Sequence, residues 1–546
     1  MKTIYFSWFF LLGTSLVLLA QAFRLQVVQG REQVRRSEQN RFRIKTLEAP
    51  RGLFYDVRGI ALTEENNGVR TYPFAEKMAH VIGYIGEADA EELSLFGVEM
   101  GRHVGKMGLE RSEDSLLRGI DGGMVEEFSA SGEKVRVFSK KPPVPGRHIQ
   151  LTLDQKVQHS AYEALKKGNY RGAVVAGTID GKLLALAVHP SFDPNAFTKL
   201  LAGEDNPEIN SYITNLFTDP DKPMFNRAIS GLYPPASPFK IVTSVAALEN
   251  EVITEKTLIE DTGQISVGGS TFGNWYYSQQ GKTDGMVDVT KALQRSNDIY
   301  FYEIGEKLEI TSLAEWARQF GFGSVTGITL TGEAKGLVPD KQWKQETLGE
   351  DWYLGDTYIT SIGQGNLQVT PLQVHMMMTA VANDGWVCEP SLVSAVVDEP
   401  SHTLDPVSTF EKNRCRQLTV KTKTLNTVKK GLIKACEPGG TGWPLFNFAV
   451  NNPNLIPDDT NYFRQDSSSA SLVKIPVACK TGTAETGTFE NHRKMEQKTH
   501  AWFTVFAPAE NPEIIVTVLL EDAGQGSDEA APVAREVLKT WFEGKQ

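Results

Sequence analysis

The segment Tyr233-Pro-Pro-Ala-Ser-Pro-Phe-Lys240-Ile-Val-Thr-Ser-Val-Ala-Ala-Leu248 describes a helix that is apolar on nearly every side. Phe239, Ile241, Val242, Val245, Ala246, Ala247 and Leu248 leave it no face to give to water, so the chain must pack other elements all round it. Lys240 is carried inside with them. Burial disfavours its ammonium form and lowers its pKa, which is what a lysine acting as general base requires. Ser237 lies three positions earlier, on the same helical face. Pro235 ends the preceding segment, Ser237 is the predicted N-cap, and Pro238 suits the first helical position, where its missing N–H costs nothing. A serine beside a desolvated lysine, at a helix N-terminus that favours developing negative charge, is a candidate nucleophile. Alone, the spacing is better explained as an N-capped helix.

Two downstream motifs sharpen it. Ser296-Asn297-Asp298 lies within the run Val287–Tyr302, and Lys480-Thr481-Gly482-Thr483 follows Val473-Lys-Ile-Pro-Val-Ala-Cys479. In the latter, Val473, Ile475, Val477 and Cys479 alternate with Lys474, Pro476, Ala478 and Lys480, the period of a half-buried strand. Gly482 removes a side chain where a substrate backbone must come close. Lys480 and the hydroxyls of Thr481 and Thr483 suit a carboxylate.

Together and in this order, the three motifs resemble those of penicillin-binding proteins and class A β-lactamases. The wider text is similar to the class B penicillin-binding proteins, monofunctional peptidoglycan D,D-transpeptidases, and most to their elongation branch, the penicillin-binding protein 2 type. The resemblance runs from about residue 49 onward, through Pro50-Arg-Gly-Leu-Phe-Tyr-Asp56, Gly108-Leu-Glu110, Pro190-Ser-Phe-Asp-Pro-Asn195, Ile362-Gly-Gln-Gly365, Thr370-Pro-Leu-Gln373 and His500-Ala-Trp-Phe503. Tyr-Pro-Pro before the serine, Gly-Gln-Gly, and the aspartate closing the second motif favour the elongation branch.

The resemblance implies an α+β chain: an N-terminal membrane anchor, a small β-rich pedestal, and a penicillin-binding/β-lactamase-like transpeptidase domain with a mainly antiparallel sheet and helices. It implies that Ser237 attacks the penultimate carbonyl of a stem peptide while Lys240 takes its proton. Backbone N–H groups of Ser237 and Thr483 form the oxyanion hole. Ser296 passes a proton to the departing D-alanine, Asp298 orients Lys240, and Lys480, Thr481 and Thr483 hold the terminal carboxylate. The implied partners are peptidoglycan stem peptides, β-lactams as inhibitors, and a SEDS-family glycan polymerase with other elongation-complex membrane proteins. Several positions depart from the pattern. Ala236 replaces the usual glycine, Pro238 stands where threonine is common, and Cys479 replaces a glycine before Lys480. Asp298 adds a negative charge that tends to keep Lys240 protonated. Only about twenty residues separate Gly52 from Tyr72, where relatives insert a longer head.

Three alternatives stay open. A β-lactamase or β-lactam sensor shares the motifs, but the nearest match to the class A E-x-x-L-N pattern, Thr422-Lys-Thr-Leu-Asn426, lacks the glutamate. A D,D-carboxypeptidase differs only in letting water resolve the ester. A non-catalytic scaffold regulating a glycan polymerase is the third.

The formal charge of −11 and pI near 5.5 argue against nucleic acid as a partner. With no Walker loop, zinc-type His/Glu pair or dinucleotide fingerprint, no cofactor and no metal are expected. Ile4 to Ala20 is apolar apart from Ser7, Gly13, Thr14 and Ser15, and no charge falls between Lys2 and Arg24, near the minimum for a membrane span. Ala20-Gln-Ala22 also resembles a signal-peptidase site; the resemblance favours a retained anchor. Arg24, Arg31, Arg35 and Arg36 oppose export under a simple positive-inside rule, although long domains translocate despite such charges. A substrate outside the membrane puts the catalytic part on the outer side of the cell membrane.

Cys388, Cys415, Cys436 and Cys479 are too few for a disulfide framework in so long a chain; an exported protein allows a bridge among the first three, but free buried thiols are the favoured expectation. The expected organisation is an anchor over 1–22, a polar juxtamembrane helix over 23–48, the pedestal over 49–146 and the transpeptidase domain over 147–546. Within the last, 173–176 with 183–188 and 502–507 with 514–520 read as hairpins. Residues 199–440 read as mostly helical, 441–472 as a loop including Ser467-Ser-Ser-Ala-Ser471, and 532–542 as an amphipathic closing helix.

Overall fold

The computed structural model describes every residue except 1, 33–34, 36–40, 67, 99, 130, 205, 398–407, 410–414, 457, 459, 465–471, 487–497 and 546. Its contacts divide it into two units, residues 1–52 with 115–147 and residues 53–114 with 148–546.

In the first unit, α1 (Lys2–Phe23) is apolar and exposed along its length and continues into a π-helical turn, Arg24–Val28; Ile4–Val28 is long and apolar enough to cross a membrane. The helix expected over 23–48 is not continuous, because Phe42–Leu47 form a strand, β1. It pairs antiparallel with β2 (Gly122–Phe128), which pairs with β3 (Lys134–Lys141). The pairing with β2, and side-chain contacts across the sheet, select the strand over the helix. Phe42 meets the Phe138 ring edge-on at 5.4 Å, and Arg43 stacks on Phe128 at 4.5 Å.

The second unit is built on a five-stranded antiparallel sheet. Its strands are β4 (Gly172–Gly177), β5 (Leu183–His189), β6 (Ala478–Thr486), β7 (Lys498–Ala507) and β8 (Ile514–Leu520), in spatial order β5-β4-β8-β7-β6. Both expected hairpins are present. The strands are buried on both faces, so alternation sorts their side chains into two cores. Ala501, Phe503, Val505, Val516 and Val518 pack with Val157, Ala161 and Leu165 of α2 (Gln155–Lys167) and with Val537 and Leu538 of the closing helix Ala531–Glu543. Trp502, Phe506, Ile515 and Leu519 share the opposite core with Ile241, Val242 and Val245 of α3 (Lys240–Glu249). Burial of each such aromatic side chain stabilises the fold by roughly 2–3 kcal/mol. Elsewhere in this unit Tyr55 and Phe54 join a second sheet beside His148–Leu151, and a buried Arg70–Glu110 ion pair at 2.8 Å receives the Tyr72 hydroxyl.

α3 is covered as its composition demands. Lys240, Ile241, Val242, Thr243, Ser244, Val245, Ala246 and Ala247 are all buried. Ser237–Phe239 form a 3-10 turn ahead of it, and no side chain caps that turn. The predicted N-cap role of Ser237 is therefore not realised; its oxygen has another donor, described below. Further along the chain, α4 (Val289–Arg295) is capped by Asp288, and α5 (Asp298–Gln319) by Asn297, whose Oδ1 accepts from Tyr300 N–H at 3.0 Å. Between them Ser296 takes the left-handed conformation (φ 54°, ψ 38°), so the second motif is the joint between two helices.

Two further expectations are corrected. All four cysteines are bonded: Cys388 to Cys415, and Cys436 to Cys479. The pairs are 27 and 43 residues apart, and only the fold brings them together. Cys388 and Cys415 face each other across a two-stranded ribbon. Cys436, just after α6 (Thr422–Ala435), meets Cys479 on β6. The 441–472 segment is not a plain loop either. Ala449–Asn451, Phe463–Arg464 and Leu472–Lys474 form a small antiparallel sheet, while the serine-rich stretch 467–471 lies outside the described residues.

The two-core sheet yields a direct expectation. Phe506→Ala, at a fully buried position, lowers unfolding free energy by about 3–5 kcal/mol. Denaturant titration of the variant measures it.

Candidate active site

The three motifs converge on one hydroxyl. Ser296 Oγ accepts from Lys480 Nζ at 2.8 Å and from Lys240 Nζ at 3.3 Å, and donates to Ser237 Oγ at 2.9 Å. With two nitrogen donors on its oxygen, the hydroxyl has its own proton left for Ser237. Lys240 Nζ makes its shorter bonds to Ser296 O at 2.7 Å and Asp298 Oδ1 at 2.6 Å. Among the described residues, no direct hydrogen bond joins Ser237 to Lys240, so Ser296 stands between nucleophile and base. Lys480 also donates to Thr481 O at 3.0 Å.

Both lysines have 0% exposure. Burial pushes the Lys240 pKa down, and the adjacent Asp298 carboxylate pulls against that without reversing it. Lys480 is pushed well below the ordinary lysine value, first by burial and then by the neighbouring Lys240 charge, again opposed by Asp298. Two ammonium groups on one hydroxyl facing one carboxylate leave a charge imbalance, and losing a proton from one lysine relieves it. The Phe301 ring lies 5.3 Å from Lys240 Nζ and favours a cation there.

Residues the motifs do not name hold the joint in place. One oxygen of Asp261, Oδ2, accepts from Asn297 Nδ2 at 2.8 Å, Asn274 Nδ2 at 2.9 Å and Asp284 N–H at 2.8 Å. Asn274 Oδ1 in turn accepts the Asp298 N–H at 3.2 Å, and Asp298 Oδ2 accepts the Trp275 N–H at 3.1 Å. Arg295 donates to Asp284 Oδ1 at 2.9 Å. Asp261, Asn274 and Asn297 are buried, so each bond is made where water cannot replace it. The sequence signal for this cluster is slight: an Asp261-Thr-Gly263 turn and an Asn274-Trp275 helix start, with no spacing that ties either to Ser296.

β6 is the edge strand of the sheet and carries the third motif. The Thr483 carbonyl accepts from Gln364 Nε2 at 3.0 Å. In an extended strand the N–H and C=O of a residue face the same edge, so the Thr483 N–H also faces away from β7. Thr481 donates its hydroxyl proton to Thr441 Oγ1 at 2.8 Å. A Cβ on Gly482 would lie 2.6 Å from Pro238 Cδ and 3.0 Å from Trp502 Cβ, so only glycine lets this strand pass the nucleophile's turn. Ala236 has φ 52° and ψ −148°, a conformation that strongly favours glycine. It is held there by an N–H bond to Gly363 O at 2.7 Å. The arrangement can activate a serine hydroxyl, stabilise negative charge beside it, and bind an anionic group along the strand edge.

Residues 172–539 match the family pattern of the penicillin binding protein transpeptidase domain, and residues 55–151 that of the penicillin-binding protein dimerisation domain. Over 490 residues the chain is 34% identical to the peptidoglycan D,D-transpeptidase MrdA of Haemophilus influenzae, covering 86% of this chain and 68% of the relative. The crystal structure of Pseudomonas aeruginosa PBP2 in complex with WCK 5153 is similar with a TM-score of 0.72 and 31% identity, covering 91% of this chain and 96% of that one. Penicillin-binding protein A of Mycobacterium tuberculosis, as a ceftriaxone acyl-enzyme complex, is similar with a TM-score of 0.66 and 25% identity, covering 90% and 98%.

The Asp261 cluster is testable. Asp261→Asn puts an amide where four N–H donors now point at the two carboxylate oxygens, and is expected to cost about 1–3 kcal/mol of stability. Denaturant titration, with the acylation rate of the folded variant alongside, shows whether the joint loosens.

Proposed function

The chain belongs to the penicillin-binding protein transpeptidase family, and from that premise we propose that it is a serine D,D-transpeptidase that cross-links peptidoglycan stem peptides during cell-wall elongation and is inhibited by β-lactams. The observation that carries this is the convergence of Ser237, Lys240 and Lys480 on the Ser296 hydroxyl in a buried site.

Ser237 Oγ attacks the carbonyl carbon of the penultimate D-alanine. With Lys240 neutral the two hydroxyls turn over, so that Ser237 donates to Ser296 and Ser296 to the Lys240 amine; the Ser237 proton then passes to Ser296 as the Ser296 proton passes to Lys240. The new oxyanion is met by the N–H groups of Ser237 and Thr483. The C–N bond then breaks, and the proton returns along the same relay to the departing D-alanine amine. A neighbouring stem peptide's amine attacks the ester and loses its proton to the relay, leaving a new amide and free Ser237. Lys480 and Thr483, on the strand edge beside Thr481, bind the donor's terminal carboxylate. A β-lactam opens on the same serine, but its amine stays tethered and the ester persists. Asp298 holds Lys240 in place and stabilises the ammonium that forms during each transfer.

The apolar span Ile4–Val28 supports a single-pass anchor. Two disulfides in the catalytic unit support the outer, oxidising side of the membrane. The family resemblance supports a SEDS-family polymerase as the partner that supplies new strands in the elongation complex.

Fluorescent penicillin is expected to label Ser237, located by mass mapping. Ser237→Ala is expected to abolish labelling while the circular dichroism spectrum and melting temperature persist; a labelled alanine variant overturns the assignment. A donor stem peptide supplied with an acceptor amine gives a cross-linked product, whereas a carboxypeptidase gives only the hydrolysed donor.

The pH dependence carries a sign. Acylation needs neutral Lys240, so the rate rises with pH through the Lys240 pKa. Asp298 raises that pKa, so Asp298→Asn shifts the rising limb to lower pH. Because the transient ammonium loses its partner, the plateau is expected to fall as well. Acylation rates measured across pH for both proteins test this; an asparagine variant whose plateau is higher than the wild type's identifies the carboxylate as a brake.

A further inference from the structure

We infer that Thr441 belongs to the carboxylate-binding site, presenting the hydroxyl proton that Thr481 cannot, and that the Cys436–Cys479 disulfide holds it there; this rests on the transpeptidase reading above. Thr481 spends its only hydroxyl proton on Thr441 Oγ1, at 2.8 Å. A group so engaged offers lone pairs, and a carboxylate needs donors. Thr441, having accepted that bond, keeps its own proton to give to the next acceptor, and its O–H is polarised by the bond it receives. The chain Thr481 O–H to Thr441 O–H to carboxylate therefore puts the terminal donor on a residue outside the third motif.

The backbone around Thr441 is built to keep it in place. After Cys436 the chain turns through Glu437-Pro-Gly-Gly-Thr-Gly442 and doubles back, with Gly442 N–H bonded to Ala435 O at 2.8 Å and Gly440 N–H to Glu437 O at 2.8 Å. A Cβ on Gly442 would lie 2.5 Å from Cys479 Sγ and 2.8 Å from Cys436 Sγ, so the turn rests directly on the disulfide. Arg295 Nη1 fastens the outer side of the turn through Gly439 O at 2.9 Å. Cys479 is the residue before Lys480. The covalent link thus ties the turn that carries Thr441 to the strand that carries Lys480 and Thr481, fixing the spacing of two hydroxyls on which a hydrogen bond depends.

The test separates binding from chemistry. Acylation kinetics on the full chain, with benzylpenicillin and with its carboxylate methyl ester, give the apparent dissociation constant and the acylation rate constant for each. Thr441→Val keeps the shape and removes the hydroxyl. It is expected to weaken benzylpenicillin binding by about tenfold, leave the acylation rate constant within about twofold, and leave the ester unaffected. Cys436→Ser with Cys479→Ser is expected to weaken benzylpenicillin similarly, and Thr441→Val adds little further in that background, because both act through one contact. Cys388→Ser with Cys415→Ser serves as the control and leaves benzylpenicillin binding unchanged. Equal losses for acid and ester, additive losses, or an unchanged dissociation constant overturn the inference. Should the Cys436/Cys479 variant not fold, the Thr441→Val comparison of acid and ester decides alone. A wild-type chain that benzylpenicillin does not acylate overturns the transpeptidase reading instead.

Discussion

Two lysines can share one buried pocket only if something offsets their charge, and Asp298 does so from 2.6 Å. A buried ammonium without a partner is strongly destabilising, and removing one member of such a pair costs more than the pair contributes. The position of that carboxylate therefore governs the rest of the site. It is the first residue of α5, held by Trp275 and Asn274 N–H and side-chain oxygen contacts, and those are anchored in turn on Asp261. The left-handed turn at Ser296 sets the hydroxyl beside it at the meeting point of three motifs.

The same arrangement explains why the nucleophile's turn is so confined. Gly482 and Gly363 allow β6 and the Gly-Gln-Gly segment to approach Pro238 and Ala236 within distances no side chain permits. Ala236 pays for that confinement with a backbone conformation that disfavours any residue with a Cβ, at roughly 1–3 kcal/mol. Rigid neighbours on both sides keep Ser237 oriented toward Ser296 rather than toward its own helix, which is why it does not act as a cap.

What could be read in the sequence was what is local or strongly periodic. The buried helix at Lys240, the two hairpins and the closing helix each follow from spacing along a short stretch. The three motifs could be read because each packs several functional side chains into three or four residues. The Asp261 cluster could not, since its members are separated by loops and their only common feature is a shared oxygen. The Cys436–Cys479 bond was out of reach for the same reason: only the placement of α6 against β6 brings its two halves together. Ser237 as a cap and Phe42–Leu47 as helix were misread because a tertiary partner outweighed local preference, the Ser296 hydroxyl in one case and the paired β2 strand in the other.

The strand order β5-β4-β8-β7-β6 places residues 172–189 beside 514–520, with every helix that carries a catalytic side chain inserted between. Chains dominated by such distant pairings fold slowly, because the closure entropy of the long segment is spent before the sheet gains anything. Residues 190–477 must therefore wait for β6, β7 and β8 to arrive before the face that buries Lys240 exists. For a chain that emerges from its N-terminus first, catalytic competence is a property of the finished polypeptide, and a partly made chain has its nucleophile but no pocket to activate it.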